Sequence, residues 1–227
     1  NTVSISIYSL AAGFPIPIIL ALMLKEVNSD RYRKLIQTVT YAPHFISTVV
    51  LVGMITLMLS PTFGIVNTIL KALGFEAKNF MAMSSMFRHI YVWSGIWQNM
   101  GWSSIIYLAA LSTVDPEQHE SAMIDGASRL KRIWYINIPV LVPTMVILLI
   151  LRAGSIMSVG FEKVLLMQND LNRDVADVIS TYVYDRGLIQ QNFSFASAVG
   201  LFNNAVNFTL LLLVNGITRR LGETSLL

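Results

Sequence analysis

Long apolar stretches alternate with shorter polar segments along this chain. Five of the apolar stretches are long enough to cross a bilayer, which needs about 20 apolar residues in a helix. Their apolar runs are continuous, as at residues 146–151 and 210–213, whereas membrane β-strands show shorter segments of alternating polarity. The pattern therefore predicts an all-α, polytopic membrane helix bundle. The five predicted transmembrane helices cover residues 3–24, 35–60, 87–112, 137–159 and 195–218.

Two polar segments between these spans also carry helical patterns. In residues 61–86, Ile65, Ile69 and Leu73 recur at helical spacing and predict a short interfacial helix. Residues 174–184 are expected to form another short helix. No internal repeat, low-complexity tract or linker divides the chain, so we expect a single domain.

The composition independently indicates that lipid is the solvent. Hydrophobic residues make up 54% of the chain, charged residues make up 13%, and the mean hydropathy is +0.60, values that a soluble domain would not tolerate easily. The absence of cysteine excludes disulfides and thiolate chemistry. His44, His89 and His119 are far apart and lack a second ligand type at metal-binding spacing, so we expect no metal and no other cofactor.

The basic residues report the orientation of the chain in the membrane rather than a nucleic-acid-binding face. If five helices cross, alternate polar segments share a side, and the positive-inside rule assigns the side with the concentrated basic residues to the cytoplasm. Those residues are Lys25, Arg31, Arg33, Lys34, Arg129, Lys131, Arg132, Arg219 and Arg220. The other side holds Lys71, Lys78, Arg88, Lys163, Arg173 and Arg186 in two longer loops.

The most informative polar segment lies on the cytoplasmic side, at about residues 115–138. Asp115 followed by Pro116 is a helix N-cap with proline at the first helical position, and Gly126 allows a sharp turn. A short helix, a turn and a second helix are therefore expected. An amphipathic helix that merely joins two spans would satisfy the same pattern. The apolar positions at i, i+4 and i+7 are Met123, Ala127 and Leu130.

Residues 120–143 resemble the cytoplasmic coupling loop of permease subunits in binding-protein-dependent ABC importers. That pattern begins with Glu-Ala-Ala, continues with Asp-Gly-Ala and ends in Pro-x-Leu-x-Pro. This chain departs from it at Ser121, where the family has alanine, and at Ile133, where phenylalanine is usual. The positions in register are Glu120, Ala122, Asp125, Gly126, Ala127, Ile136, Pro139, Leu141 and Pro143.

The resemblance implies a set of partners and a location. It implies a multi-pass permease domain over residues 1–227, in the plasma (inner) membrane of a prokaryote, from which a preceding N-terminal helix has been trimmed. The implied partners are a second permease subunit, two ATP-binding cassette subunits, an extracytoplasmic solute-binding protein and the transported substrate. The residues implied to couple this chain to the ATPase are Glu120, Ala122, Asp125, Gly126, Ala127 and Pro139.

The C-terminal third is similar to the carbohydrate branch of these permeases, and more narrowly to the branch associated with oligosaccharide uptake. The similarity lies in the segments 177–179, 182–184, 186–188, 198–202 and 220–223. Transport of a sugar or oligosaccharide is therefore the implied function.

Polar and aromatic side chains inside the predicted spans are candidates for a substrate path. Sugars are held by aromatic faces and by hydrogen bonds from amides and charged groups. Arg152, roughly 20 Å along its helix from Pro139, would be costly in lipid unless it faces water, a partner or the outer interface. Hydrogen bonding between helices is the competing explanation for the polar set. The candidates are Tyr41, Trp97, Gln98, Asn99, Trp102, Arg152, Asn203 and Asn207.

Catalysis by this chain alone is not expected. The sequence has no Gly-x-x-x-x-Gly-Lys phosphate loop, no His-Glu-x-x-His and no Gly-x-Ser-x-Gly. A non-transport membrane anchor or assembly protein is the main alternative function. A secondary transporter is disfavoured, since we find no inverted repeat and few acidic groups within the spans.

Overall fold

A computed structural model describes residues 1–220, without the side chain of Arg220. The part of the carbohydrate-branch pattern at residues 221–223 lies outside the described residues. Within residues 1–220 the chain forms helices and no strands, which confirms the all-α prediction.

Thirteen α-helices occur in the described range, joined by short 3-10 and π segments. The 3-10 segments are Ala42–Phe45 and Phe80–Ala82, and the π segments are Ile133–Asn137 and Asp185–Ile189. The α-helices are α1 (Thr2–Gly13), α2 (Pro15–Lys25), α3 (Asp30–Tyr41), α4 (Thr48–Met58), α5 (Ile65–Ala72), α6 (Ser84–Ser112), α7 (Pro116–Ile124), α8 (Arg129–Arg132), α9 (Ile138–Ala153), α10 (Phe161–Met167), α11 (Arg173–Ala176), α12 (Ile179–Tyr184) and α13 (Phe193–Arg220).

Three helical segments within residues 1–220 are long and apolar enough to cross a membrane. They are Thr2–Lys25, Arg129–Ala153 and Phe193–Arg219. The first joins α1 and α2 through Phe14, whose backbone dihedrals remain helical. A fourth span is obtained only if α4 and the preceding segment Asp30–Phe45 are counted together as one bent pair. The predicted count of five is therefore not confirmed.

The predicted span at 35–60 is not one continuous helix. The chain leaves the α-helix at Ala42, and α4 starts afresh after Ser47, whose extended backbone and side chain cap its first turn. Pro43 lies within the intervening 3-10 segment. Proline has no amide hydrogen to donate, so the hydrogen-bond pattern of α3 cannot continue through Pro43. A continuous run of apolar residues does not reveal such a break.

The predicted span at 87–112 does form a helix, α6, with 29 residues. It is nevertheless absent from the candidate membrane spans found within residues 1–220, because its tryptophan, glutamine, asparagine and serine residues reduce its hydropathy. The predicted span at 137–159 also differs, since α9 ends at Ala153.

Tertiary contacts divide the chain into two compact units. The first comprises residues 1–9, 45–96 and 156–206, and the second comprises the remaining residues. The core of the first unit is formed by Ile5, Val52, Phe87, Val159, Val164, Met167, Ala176 and Val178. The core of the second is formed by Ile18, Ala21, Tyr107, Leu111 and Leu141.

The short helix α5 occurs where the pattern in residues 61–86 predicts it. Its polarity is inverted relative to an amphipathic helix of a soluble protein, because its buried position is polar and its exposed positions are apolar. Its Asn67 is buried, and the Asn67 amide nitrogen donates to the carbonyl oxygens of Leu59, Ser60 and Lys78 at 2.9–3.1 Å. Ile65 and Ile69 on the same helix are exposed. An outward apolar surface suits an interfacial helix in contact with lipid.

The polar segment after α9 holds more helix than its pattern predicts. One short helix is expected at 174–184, and the structure has α11 and α12 there. It also has α10, at Phe161–Met167, for which the pattern gives no signal. The side chain of Asn172, between α10 and α11, is buried and donates to the carbonyl oxygens of Met81 and Met167. These hydrogen bonds hold in place a segment that its sequence pattern would predict to be an open loop.

Candidate functional site

The candidate coupling loop begins as the capping pattern predicts. The Asp115 side chain accepts a hydrogen bond of 3.0 Å from the backbone amide of Glu117, and Pro116 occupies the first helical position of α7. An aspartate at this position satisfies an amide that has no partner within the helix, and its charge complements the helix dipole.

Gly126 ends α7 in the conformation that the Asp-Gly pair predicts. Its φ is +74°, in the left-handed region. The Ala127 amide donates to the Ala122 carbonyl at 2.8 Å, and the Gly126 amide donates to the Met123 carbonyl at 3.1 Å. These two bonds define a Schellman C-cap. Ser128 then caps the single turn of α8. The predicted succession of a short helix, a turn and a second helix is therefore confirmed.

The surface of this loop is partly apolar although the segment is polar overall. Ile124 is 87% exposed and Leu130 is 70% exposed. Glu120 and Asp125 are exposed on α7 and at its end. Exposed apolar side chains beside carboxylates are typical of a surface that contacts another protein.

A partly buried polar contact joins α7 to the helical segment that precedes α9. His119 Nε2 and Asn137 Oδ1 lie 3.1 Å apart, and Asn137 is fully buried. Because an amide oxygen only accepts, Nε2 carries the proton in this arrangement. The sequence analysis does not name this pair as functional. The only available signal is a single asparagine in the otherwise apolar run 133–142.

Asn137 is the last residue of a π-helical turn that leads into α9. The Ile138 amide donates to the carbonyl of Ile133, five residues earlier. Pro139 follows directly, and a proline ring crowds the carbonyl four residues before it, which favours a wider turn at this place. Pro139 is exposed, whereas Leu141 is fully buried in the second unit.

The structure brings three candidate path residues together, along with His44. The His44 ring stacks on Trp102 with centroids 4.6 Å apart, and His44 Nδ1 lies 3.0 Å from Asn99 Oδ1. Tyr41 is adjacent because a Cβ on Gly101 would lie 2.9 Å from its ring and would collide with the Thr40 carbonyl. We call Tyr41, His44, Asn99 and Trp102 the aromatic cluster.

The remaining candidate path residues have different surroundings. On α6, Trp97 is exposed and Gln98 is half-buried. Asn207 is buried on α13. Arg152 is exposed in the last turn of α9, within electrostatic range of the buried Tyr107. At the end of α9, the Arg152 side chain is compatible both with extension to the membrane interface and with lining the substrate path.

Asn203 lines a cavity of about 450 Å³ in the first unit. The side-chain oxygens of Asn203 and Ser180 are buried there and have no hydrogen-bond partner among the described residues. Aromatic residues form part of the wall, namely Phe161, Tyr184 and Phe193. Because both oxygens are buried, the surface of the cavity itself is mainly apolar.

Comparison with known proteins identifies a family that this chain matches. The sequence pattern of the family described as "Binding-protein-dependent transport system inner membrane component" matches residues 6–223. The Bacillus subtilis (strain 168) polygalacturonan/rhamnogalacturonan transport system permease protein YteP is 42% identical over 98% of this chain and 70% of its own length. Protein LplB of the same organism is 41% identical over 100% of this chain and 71% of its own length.

A solved structure shows the same fold. A chain of the bacterial alginate ABC transporter, in complex with a periplasmic protein that holds an alginate pentasaccharide, aligns with a TM-score of 0.96 at 43% identity. The alignment covers all of this chain and 78% of that chain. The family pattern extends over nearly the whole sequence, and the relatives exceed 40% identity over nearly the same range. The chain therefore belongs to the family of binding-protein-dependent transport system inner membrane components.

Proposed function

We propose that this chain is a permease subunit of an ATP-driven importer and that the transported substrate is an oligosaccharide. The family supports the import role. The substrate class is supported by YteP, named for polygalacturonan and rhamnogalacturonan transport, and by a second solved transporter, 44% identical, that imports the acidic polysaccharide alginate.

The observation that carries the proposal is the loop formed by α7, the Gly126 turn and α8. It presents exposed apolar side chains beside the exposed carboxylate of Glu120, and it leads directly into α9. In the proposed complex, Glu120 and Asp125 form polar contacts with an ATPase subunit. Ala122 and Ala127 leave space beside the turn, and Pro139 marks the start of the helix that moves.

The proposed complex contains three kinds of protein partner. A second permease subunit completes the membrane pathway, and two ATP-binding cassette subunits hydrolyse ATP, so this chain is not itself an ATPase. An extracytoplasmic solute-binding protein delivers the oligosaccharide. ATP-driven closure of the cassettes would move the coupling loop and switch the pathway from inward-facing to outward-facing, which is a coupling free energy between two sites.

We also propose that five helical segments cross the membrane. The bent pair of Asp30–Phe45 and α4 would form one crossing, and α6 another. At 29 residues, α6 would be about 43 Å long, more than the hydrocarbon thickness. Its polar side chains would be tolerated where they face other helices or water.

The aromatic cluster is the part of the second unit best suited to contact a sugar. Trp102 and Tyr41 offer apolar ring faces, and Asn99 offers an amide. Trp97, Gln98, Arg152 and Asn207 are proposed to contribute further polar contacts along the path, as is Asn203 in the first unit.

The test is reconstitution of the complete transporter in lipid vesicles. We expect oligosaccharide to accumulate only when ATP and the solute-binding protein are both present. Glu120→Lys should weaken co-purification of the ATPase because it reverses a charge at the contact, whereas Glu117→Lys, on the first turn of the same helix, is the matched control. A wild-type complex that assembles but accumulates no oligosaccharide would favour a membrane anchor or assembly protein.

A further inference from the structure

The cavity of the first unit lies outside both the coupling loop and the aromatic cluster. It is formed between α12, the π segment Asp185–Ile189 and the first part of α13. The cavity is partly open to the surface of the protein, and its lining is almost entirely apolar. Leu188 and Phe193, which belong to the lining, are both exposed. The mouth of the cavity is therefore apolar as well.

The hairpin made by α12, the π segment and α13 accounts for the unfilled space. The two arms are in close contact at one level, where a Cβ on Gly187 would collide with the side chain of Ala196. Gly200 lies one helical turn further along α13 and also lines the cavity, yet no atom lies within 4 Å of the position that its Cβ would occupy. Another wall is Phe161 of α10, whose ring centroid lies 5.1 Å from that of Tyr184. The cavity is thus bounded by packed residues and empty beside Gly200.

The cavity extends from one end of a candidate membrane span towards its middle. The span runs from Phe193 to Arg219. The residues of α13 that line the cavity begin at Phe193 and end at Asn203, which is about 15 Å along the helix. That length is half of a hydrocarbon core about 30 Å thick. Leu201 and Phe202 continue the apolar surface on the exposed side of α13. A cavity of this depth matches the acyl chain of a lipid in one leaflet.

A cationic side chain lies on the segment that forms the mouth. Arg186 belongs to the same π segment as Leu188, and its guanidinium carbon lies 5.5 Å from the centroid of the Tyr182 ring. Its Nη1 donates to Gln190 Oε1 at 2.9 Å. Neither of the two ion pairs found among the described residues includes Arg186. A guanidinium group has five N–H donors in a planar fork that matches a phosphate group.

We propose that this cavity is a binding site for an anionic phospholipid, with one acyl chain between α12 and α13 and the phosphate at Arg186. The proposal depends on the membrane location of the family and not on the transported substrate. The acyl chain fills the space beside Gly200. The guanidinium forms charge-assisted hydrogen bonds with the phosphate, at the level where arginine and tyrosine side chains commonly meet lipid headgroups.

A protein side chain and the transported sugar are the competing occupants. An apolar side chain from the second permease subunit would also fill the cavity, but it would give no role to the charge of Arg186. A sugar would exchange its hydrogen bonds with water for contact with a mainly apolar surface, which is unfavourable. The sugar remains the occupant to test against, because Asn203, proposed for the substrate path, lines the inner end of the cavity.

The experiment uses phosphatidylglycerol that carries a photoreactive diazirine on one acyl chain. The complete transporter is reconstituted in phosphatidylcholine nanodiscs that contain a small fraction of this probe. After illumination, the labelled peptides of the permease are identified by mass spectrometry. In the wild type we expect label within residues 179–203, and added unlabelled phosphatidylglycerol should displace it.

Three variants locate the acyl chain and the phosphate. Gly200→Leu places a side chain in the cavity and should lower the label within residues 179–203 by about tenfold. Gly216→Leu is the matched control, because a Cβ there also meets no atom within 4 Å but the residue does not line the cavity. Arg186→Gln should remove the preference for this probe over a phosphatidylcholine probe with the same diazirine. Gly200→Ala should show a smaller loss and replaces Gly200→Leu if the leucine variant does not assemble.

Four outcomes would overturn the proposal. Equal label within residues 179–203 in the Gly200 and Gly216 variants would show that the acyl chain lies outside the cavity. Background label in the wild type, with assembly lost only in Gly200→Leu, would assign the cavity to a protein partner. Displacement of the probe by trigalacturonate would assign it to the substrate path. Equal labelling of the wild type by the two lipid probes would exclude an anionic site at Arg186.

Discussion

A single backbone angle defines the end of α7. Gly126 adopts a φ of +74°, and no atom lies within 4 Å of the position that a Cβ would occupy. The Cβ of a substituted residue would therefore meet no steric obstacle. The destabilisation expected on substitution therefore comes first from the left-handed conformation itself.

Gly126→Val should disrupt coupling, whereas Gly126→Asn should be tolerated. A β-branched residue in the left-handed region is strained by about 1–3 kcal/mol, and asparagine adopts this region more readily than other residues with a side chain. We expect Gly126→Val to reduce transport-coupled ATP hydrolysis several-fold without affecting membrane insertion. Co-purification of the ATPase and coupled hydrolysis are the measurements. Normal values for both in Gly126→Val would contradict a coupling role for this turn.

Trp102 offers a second test at the level of one side chain. Trp102→Ala removes the ring stacked on His44, and we expect slower oligosaccharide uptake with a normal yield of assembled complex. Trp102→Phe, which retains an aromatic face, should keep most of the uptake. If Trp102→Ala lowers assembly and uptake in parallel, packing loss explains the effect and the aromatic cluster is not part of the substrate path.

Among the helical elements, α7 is linked to the start of α9 both by the intervening chain and by a side-chain hydrogen bond. The contact between His119 and Asn137 bridges 18 residues and lies where the π turn passes into α9. A movement of α7 would therefore reach α9 through a partly buried hydrogen bond as well as through the turn at Gly126. This contact is a candidate route for transmitting ATPase movement to the membrane helix.

We expect His119→Phe and Asn137→Leu each to lower coupled ATP hydrolysis while the ATPase still co-purifies. Each change breaks the same hydrogen bond and replaces the polar group with an apolar one, so that a single unsatisfied partner remains. The double variant should lose little more than either single variant, because both act through one contact. Fully additive losses, measured as rates of coupled hydrolysis, would show that the two residues act independently.

The parts of the fold that could be predicted depend on local chemistry. The Asp115 cap and the Gly126 turn follow from requirements that act within five residues. The contact of His119 with Asn137 could not be foreseen, because its register depends on a π turn that no periodicity marks. The break before α4 is not predicted by the sequence for a related reason: Pro43 and Ser47 are equally compatible with a kinked continuous helix.

For the whole molecule, the proposed crossing of the membrane by α6 can be tested from its two ends. If α6 crosses, Glu76 before it and Glu117 after it lie on opposite sides. The chain has no cysteine, so Glu76→Cys and Glu117→Cys each create a unique thiol. We expect a membrane-impermeant maleimide to label Glu76→Cys in intact cells and to label Glu117→Cys only after permeabilisation. Labelling of both thiols in intact cells would contradict the five-crossing arrangement.

The inverted polarity of α5 has a consequence for how this helix evolves. In a soluble protein, selection conserves the apolar positions of an amphipathic helix and lets its polar positions drift. In α5 the asparagine is the position with specific partners, since Asn67 binds three backbone carbonyls, while Ile65, Ile69 and Leu73 face outward. Neutral drift should therefore exchange those three among apolar residues and leave the amide unchanged.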